Sequence, residues 1–463
     1  MKNLVLIVSI AHIFIFMTSG FQISAQENPS SEYMEVYRGK MDRTNWFRHD
    51  RFGMFIHFGA YAVPARGEWV KTNEQMTNEE YKKYVDAFVP SNYDPSQWAK
   101  LAKQAGMKYA VMTAKHHDGF CLFDSKATDY KISKNLPGRD FMKEFSDAFR
   151  AEGLKVGFYY SLIDWHHEDY PNVGNHPMRN NKAWDEKAYD WDAYLKYMHK
   201  QIEELMTNYG KIDILWLDYS FDEYNGEKWK AAELIKMIRK YQPDIILNSR
   251  LEQSAGNSLK GRAYGGYGDF ETPEQGIPES GLKDLYGNAI PWETCLTLNN
   301  NWGYAASDHE WKSSKLIIHS LVDAVSKNGN LLLNVGPDAQ GNIPMPSQQI
   351  LKEVGAWMQK NSESIYGCGN SELLKPEWGY FTQKGRTVFA HWTNPKIGYI
   401  NIKGYADKVE TVSLLASGEE ATTATRWWGN EDVGNFFINI KEPVYHTFQL
   451  PDETNTVFKI ILR

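Results

Sequence analysis

The chain has 463 residues, of which 42% are hydrophobic and 24% are charged, a composition close to that of ordinary globular proteins. This composition excludes a largely disordered or collagen-like chain, and the length predicts two or three domains unless one large barrel is present. The formal net charge of −7 at pH 7 argues against nucleic-acid binding, which requires an excess of cationic side chains.

The first 25 residues have the layout of a secretory signal peptide. Lys2 precedes an apolar stretch over 4–17, and Ser24 and Ala25 form a small-residue cleavage site before Gln26. The apolar stretch is too short to span a bilayer comfortably. No cysteine lies near the cleavage site to carry a lipid anchor. We therefore expect an exported protein without a membrane anchor, either periplasmic or secreted from a bacterium.

Apolar runs rich in β-branched and aromatic residues alternate with amphipathic stretches over most of the chain. These runs predict strands that are buried on both faces. The predicted strands are 52–58, 108–114, 155–161, 212–218, 244–250, 292–298 and 330–335. Predicted helices between them include 95–105, 140–152, 191–208, 228–241 and 312–327. Such alternation predicts a closed parallel (β/α)8-like (TIM) barrel.

The pattern changes towards the C-terminus, where short strands are separated by turn residues. The predicted strands there are 387–392, 398–403, 409–414, 436–440, 446–450 and 457–462. They predict an antiparallel β-sandwich of about 90–100 residues. We therefore expect a signal peptide over 1–25, a catalytic barrel over 26–367 and a sandwich over 368–463. A Gly-rich acidic stretch over 264–278 interrupts the barrel pattern and predicts a functional loop.

The three cysteines, Cys121, Cys295 and Cys368, are too few and too widely spaced to form a disulfide framework or a zinc site. We expect them to be buried free thiols.

In barrel enzymes, catalytic groups lie at the carboxyl ends of the strands, so the residues that close each apolar run are the informative ones. These residues include carboxylates, histidines and aromatic rings, without a serine elbow or a phosphate loop. They are His57, His116, His117, Asp118, Tyr159, Tyr160, Asp164, Trp165, Asp218, Arg250, Glu274, Glu293 and Thr294.

Two of these features bear on the chemistry. Asp218 follows five apolar residues, and burying a carboxylate there is costly unless it is paired or used. His116 and His117 suggest a metal, but adjacent residues on a strand point to opposite faces, which makes joint chelation of one ion difficult. Two carboxylates on separate strand ends, with histidines and aromatic rings nearby, are typical of glycoside hydrolysis. Two alternatives remain, a carbohydrate-binding protein on a catalytically inactive barrel and a metal-dependent hydrolase.

Motifs along the predicted barrel resemble those of the α-L-fucosidase family of glycoside hydrolases. They are FGMFIHFGAYAVPARGEWV (52–70), KYAVMTAKHHDGFCLFDSKATDY (108–130), GFYYSLIDW (157–165), DILWLD (213–218), NSR (248–250), DFETPE (269–274), PWETC (291–295) and NLLLNVGPDAQGNI (330–343). The resemblance implies an exo-acting, retaining enzyme that releases terminal α-L-fucose from fucosylated oligosaccharides or glycoconjugates, with no metal or organic cofactor. It leaves open the linkage preference, the natural glycan and whether the enzyme forms homo-oligomers.

The resemblance also implies roles for individual residues. Asp218 matches the nucleophile and Glu274 the acid/base, with Glu271, Asp269 and Glu293 as competitors for the second role. Such a retaining pair is expected to lie ~5–5.5 Å apart. The residues that match binders of the sugar are His57, Glu68, Trp69, His116, His117, Tyr159 and Arg250, with Tyr160 as the alternative to Tyr159 if the register is shifted.

Three of the motifs depart from the family pattern, at four residues in all. Phe58 stands where many relatives carry Trp, and Ser249 where many carry Asp. Tyr219 and Ser220 follow the matched nucleophile, where relatives often place Gly and an aromatic or acidic residue. The third departure predicts an altered rim where the leaving group is bound.

Overall fold

The computed structural model describes residues 28–185, 187–252, 266–394, 400–423, 434–439 and 450–463. The predicted signal peptide and nearly all of the predicted strand 446–450 lie outside these ranges. Within these ranges, the helices are all too short or too polar to cross a bilayer.

Seven parallel strands form the first sheet, in the spatial order β5-β4-β3-β2-β1-β7-β6. They are β1 (Phe52–Ile56), β2 (Tyr109–Lys115), β3 (Lys155–Ser161), β4 (Ile214–Asp218), β5 (Ile246–Leu247), β6 (Glu293–Thr297) and β7 (Asn330–Val335). Each lies within one of the predicted strand ranges or extends it by one residue, and nearly every residue in them is buried. The predicted TIM-like barrel is thus confirmed. Its strands could be predicted because parallel strands covered on both faces give continuous apolar runs.

The gap between β5 and β6 is filled by an irregular segment, residues 269–275. Isolated parallel bridges join Asn248 to Phe270 on one side and Glu271 to Trp292 on the other. A third bridge joins Glu274 to Cys295. The segment therefore occupies the eighth strand position and closes the barrel, although its Gly-rich, acidic composition predicted only a loop.

Helices cover the outside of the barrel, and their ends follow capping rules. Asp94, Asp140 and Asp190 each accept a hydrogen bond from a first-turn amide of the helix that follows. Gly106 and Gly153 follow two helix C-caps at φ values of +87° and +78°, in the left-handed region that glycine adopts readily. The helices are α1 (Ser31–Arg43), α2 (Asn45–Asp50), α3 (Val70–Asn73), α4 (Asn78–Asp86), α5 (Pro95–Gln104), α6 (Ile132–Asn135), α7 (Phe141–Ala151), α8 (Lys182–Asp185), α9 (Trp191–Asn208), α10 (Ala231–Tyr241), α11 (Ser314–Ser326) and α12 (Met345–Asn361), with short 3₁₀ helices at Ala60–Ala62, Gly226–Trp229, Ser249–Leu251 and Ser362–Ser364.

The C-terminal part is antiparallel and forms two sheets, ordered β12-β15-β10-β9-β8 and β11-β14-β13. Apolar side chains of both sheets share one core, including Phe458 and Trp392 from the first sheet and Ile400 and Phe436 from the second. The strands are β8 (Gly369–Asn370), β9 (Gly379–Lys384), β10 (Thr387–Trp392), β11 (Ile400–Ile402), β12 (Val409–Leu414), β13 (Thr422–Thr423), β14 (Phe436–Asn439) and β15 (Thr456–Leu462). The predicted antiparallel architecture is confirmed, and β8, β9 and β13 are additions to it.

Hydrogen bonds tie this C-terminal part to the barrel helices. Trp357 on α12 donates its indole N–H to the carbonyl of Asn455 at 3.1 Å. His319 on α11 contacts the carbonyl of Thr454 at 2.7 Å. The sheets thereby pack against α11 and α12 on the outer face of the barrel.

Candidate active site

A cavity of about 330 Å³ opens at the carboxyl ends of the barrel strands. This volume is at the small end of the range for ligand sites and suits one sugar ring better than a chain of them. The residues that line it are Phe55, His57, Trp69, His116, His117, Tyr159, Trp216, Asp218, Tyr219, Ser220, Phe221, Arg250, Glu274, Cys295 and Trp302. Eight of the nine residues that the family resemblance matches to catalytic or sugar-binding roles are among them, and the exception is Glu68.

Asp218 is the last residue of β4, and hydrogen bonds hold both of its carboxylate oxygens. Arg250 donates from Nη1 to Oδ1 at 2.7 Å, and the phenol of Tyr159 donates to Oδ2 at 2.7 Å. Nε2 of His117 lies 4.0 Å from Oδ2. These contacts fix the carboxylate in one orientation towards the cavity, as a nucleophile or an ion-pairing group requires.

Arg250 bridges two carboxylates. Its second terminal nitrogen, Nη2, donates to Oε2 of Glu274 at 2.7 Å, and its Nε donates to the hydroxyl of Thr272 at 2.9 Å. The guanidinium also lies 4.4 Å from the ring centroid of Trp216, a cation–π distance. Burial acts to lower the pKa of Arg250, but the charges of Asp218 and Glu274 raise it above its ordinary value. The arginine therefore stays charged and sets the spacing of the two carboxylates.

Of the four carboxylates that competed for the acid/base role, Glu274 is the one that lines the cavity. Asp269 is fully buried and pairs with Arg43 and Arg239 behind the sheet. Glu271 accepts a hydrogen bond from the hydroxyl of Ser249 at 2.8 Å.

Glu293 lies inside the barrel below the cavity. Its side chain is fully buried, with Oε2 accepting from the phenol of Tyr109, and it also interacts with the indole of Trp216. Burial raises the pKa of Glu293 to about 8, so the group is a neutral acid at physiological pH.

His57 presents a hydrogen-bond acceptor to the cavity. Its Nδ1 lies 2.7 Å from Oδ1 of Asn334, whose Nδ2 donates to the carbonyl of Trp302 at 2.7 Å. Because that amide oxygen can only accept, Nδ1 carries the proton and Nε2 keeps its lone pair. Burial lowers the pKa of His57 to about 4, which keeps the ring neutral.

His117 is fixed in the same tautomer by a different partner. The hydroxyl of Ser161 donates its single proton to the carbonyl of Ile163 at 2.8 Å, so it must accept from Nδ1 of His117 at 2.7 Å. Burial also lowers the pKa values of His116 and His117 well below 6.5. His57 and His117, both neutral, thus each offer Nε2 as a hydrogen-bond acceptor, which suits a ligand that donates hydroxyl protons.

The expectation that His116 and His117 point to opposite faces is wrong. Strand β2 ends at Lys115, so the strand alternation does not extend to the pair, and both rings line the cavity with centroids 4.1 Å apart. The ring of His116 lies parallel to that of Tyr159. Among the described residues, groups of three or more His, Cys, Asp or Glu side chains suited to hold a metal ion are absent.

The geometry also shows where the two candidate tyrosines and Glu68 lie. Tyr159, and not Tyr160, faces the cavity; the phenol of Tyr160 donates to Gln201 on the outer face of β3. Glu68 is buried behind the cavity wall, where its Oε2 accepts from the backbone N–H of Gly303 at 2.7 Å, and burial raises its pKa. Glu68 therefore supports the segment that carries Trp302 and is not among the residues that line the cavity, and its expected role in sugar binding stays a prediction.

Sequence reasoning did not select several residues that build this site. Phe55 and Cys295 line the cavity from within β1 and β6, and Asn334 and Ser161 orient the two histidines. A polar residue inside the apolar run 330–335 is the signal that could have identified Asn334. The three cysteines are buried free thiols, as expected.

Comparisons with known proteins agree on one family. A family model described as Alpha-L-fucosidase matches residues 21–363. The tissue alpha-L-fucosidase of Bos taurus is 30% identical over 80% of this chain and 79% of its own. Alpha-L-fucosidase isoenzyme 1 from Paenibacillus thiaminolyticus superposes with a TM-score of 0.87 at 52% identity, covering 92% of this chain and all of the other. A third similar protein is an alpha-L-fucosidase from Bacteroides thetaiotaomicron, solved as a trapped covalent intermediate with 2-fluoro-fucosyl fluoride in a glutamate-to-glutamine mutant. It superposes with a TM-score of 0.78 at 29% identity, covering 91% of this chain and 96% of the other.

Proposed function

The chain belongs to the α-L-fucosidase family and is a retaining glycoside hydrolase that acts on α-L-fucosides, and we propose that Asp218 is its nucleophile and Glu274 its acid/base. The observation that carries these roles is the single guanidinium of Arg250, which binds both carboxylates at 2.7 Å, Asp218 at the end of β4 and Glu274 in the segment between β5 and β6. One bridging group is consistent with the short separation, ~5–5.5 Å, of a retaining pair.

The proposed reaction has two steps. In the first, an oxygen of Asp218 attacks the anomeric carbon of a terminal α-L-fucose, the glycosidic bond breaks, and Glu274 gives its proton to the departing oxygen. Oε2 of Glu274 is engaged by Arg250, which leaves Oε1 to carry that proton. In the second step, Glu274 takes a proton from water as the water attacks the fucosyl-enzyme, and Asp218 is released.

The cavity walls support a fucose ring in this position. The Nε2 acceptors of His57 and His117 suit the ring hydroxyls, and the half-buried indole of Trp69 lies 5.4 Å from the ring of His117. Fucose carries a methyl group where galactose carries a hydroxymethyl group. The clustered rings of Phe55 and Trp216, 5.2 Å apart, offer apolar surface for that methyl group.

Changing Asp218 to Gly tests the nucleophile. We expect release of nitrophenol from nitrophenyl α-L-fucoside to fall by about 10⁴-fold or more, because no other group forms the covalent intermediate. Azide should restore part of the turnover and yield a fucosyl azide of inverted configuration. Full activity of Asp218→Gly, or no azide product, would contradict the assignment.

Changing Glu274 to Gln tests the acid/base. Hydrolysis of a fucosylated disaccharide, whose leaving alcohol needs a proton, should fall by about 10²–10⁴-fold. Hydrolysis of fucosyl fluoride should lose far less in kcat/KM, because fluoride leaves with little protonation. Glu271→Gln is the matched control, and the same pattern in that variant would move the role to Glu271.

Two further parts of the proposal concern the setting of the enzyme. We propose export through the leader over 1–25, and substrates that are terminally fucosylated oligosaccharides or glycoconjugates.

Two alternative functions predict different results. A binding protein without activity would release no nitrophenol from nitrophenyl α-L-fucoside, and a metal-dependent hydrolase would lose activity in a chelator. A panel of fucosylated oligosaccharides of defined linkage identifies the preferred glycan.

A further inference from the structure

Tyr219 directly follows Asp218 and has a backbone conformation that tyrosine rarely adopts. Its φ is +81°, in the region that favours glycine. A bulky residue is held there only when its surroundings stabilise it, and such positions cluster at binding sites.

The surroundings of Tyr219 fix its side chain firmly. The side-chain amide of Asn175 donates from Nδ2 to the phenol oxygen of Tyr219. The backbone carbonyl of Asn175 in turn accepts a hydrogen bond from the hydroxyl of Thr72. The ring lies 4.8 Å from that of His117 and 5.6 Å from that of Phe221. Because the phenol oxygen accepts from Asn175, its own proton remains available to a ligand.

The cavity has a buried floor and a half-buried rim. His116, Tyr159 and Trp216 are each less than 5% exposed, and they surround Asp218 at depth. The rings of Tyr219 and Phe221 are half-buried and line the same cavity at its mouth. When a small pocket takes one terminal sugar, the rest of the substrate must lie at the mouth, so these rings face the leaving group.

We propose that Tyr219 is a specificity-determining residue that binds the sugar carrying the fucose, with the apolar face of that sugar against its ring. This inference rests on the proposed function of the site. The phenol proton adds a hydrogen bond to a hydroxyl of the same sugar, and Phe221 extends the apolar surface. Selection for this contact explains why a ring occupies a position whose φ favours glycine.

The test compares substrates that differ only in the leaving group. Fucosyl fluoride has no group to contact Tyr219, whereas a fucosylated disaccharide has one, and kcat/KM reports the first chemical step for both. In Tyr219→Gly, which suits the observed φ, we expect kcat/KM for the disaccharide to fall by about 5- to 10-fold. The value for fucosyl fluoride should stay within about 3-fold. Asn175→Ala, which frees the ring without removing it, should give a smaller loss in the same direction.

Asp222→Gly is the matched control, because Asp222 is exposed, lies in the same loop and also has a positive φ, +41°. It should leave both substrates unaffected. Equal losses on both substrates in Tyr219→Gly, or no loss on either, would overturn the inference while leaving the enzyme a fucosidase. Failure of the unmodified protein to hydrolyse either substrate would instead overturn the proposed function.

Discussion

The guanidinium of Arg250 donates from Nη1 to Oδ1 of Asp218 at 2.7 Å, and both side chains are almost completely buried. The same guanidinium donates to Oε2 of Glu274, so a single side chain determines how the two proposed catalytic carboxylates are spaced. Lysine carries the same charge as a point and cannot bridge two carboxylates with a planar fork.

The variant Arg250→Lys is therefore expected to keep the charge and lose the spacing. We predict a fall in kcat/KM of about 10- to 100-fold, the value of one or two charge-assisted hydrogen bonds. Steady-state kinetics on nitrophenyl α-L-fucoside measures it. Arg139→Lys, at a half-exposed bidentate pair with Glu144, is the control and should leave the rate unchanged. A fall of less than threefold in Arg250→Lys would contradict the bridging role.

Asn334 is predicted to act through the tautomer of His57. In Asn334→Asp, a carboxylate faces Nδ1 and raises the pKa of His57 from its present value of about 4. The imidazolium that then forms cannot accept a hydroxyl proton. We expect kcat/KM to fall by about tenfold near pH 6 and to recover partly as the pH rises to 8. A pH profile parallel to that of the unmodified enzyme would rule out this positioning role.

Glu293 is predicted to make stability decrease with rising pH. The folded chain holds this proton up to about pH 8, whereas the unfolded chain releases it near pH ~4.3. The free energy of unfolding therefore carries a contribution that is present below the unfolded pKa and is lost as the pH rises towards 8. Between these two pKa values the free energy of unfolding falls by up to about 1.4 kcal/mol for each pH unit.

The variant Glu293→Gln removes this titration while keeping the size of the side chain. We expect the difference in unfolding free energy between variant and unmodified protein to shift in favour of the variant as the pH rises from 5 to 8. Urea denaturation at several pH values measures this difference. A difference that does not change with pH would show that Glu293 is not protonated in the folded state.

Gly119 is predicted to be required for the turn that carries His116 and His117. Its φ is +84°, and a Cβ atom there would lie 2.3 Å from Oδ1 of Asp164, which is buried and paired with Lys115. We expect Gly119→Ala to lower the free energy of unfolding by about 2–4 kcal/mol, from the backbone conformation and the overpacking together.

Gly138→Ala separates these two effects. Gly138 has a similar φ of +83° and nothing within 4 Å of the position of a Cβ atom. This variant should lose only about 1–2 kcal/mol, the backbone cost alone. Equal losses in the two variants, measured by chemical denaturation, would show that the contact with Asp164 costs nothing.

The order of strands and helices could be predicted because the pattern depends on local sequence. A strand buried on both faces needs a continuous apolar run, and a helix end needs a cap or a glycine, so both can be recognised within a few residues. The strand-end rule then selected Asp218, Arg250 and His57 without knowledge of any contact. The segment over 269–275 was predicted as a loop and not as a strand. It pairs with its neighbours through isolated bridges only, and it lacks the continuous apolar run by which the other strands were recognised.

The sequence alone therefore determined the barrel, the sheets after it, the family and most of the residues around the cavity. Only the tertiary structure decided that Glu68 lies behind the wall, that His116 and His117 share one side, and which nitrogen of His57 holds the proton. The physical reason is the distance along the chain between interacting partners. His57 and Asn334 are 277 residues apart in sequence, so no local pattern could link them before the barrel closed.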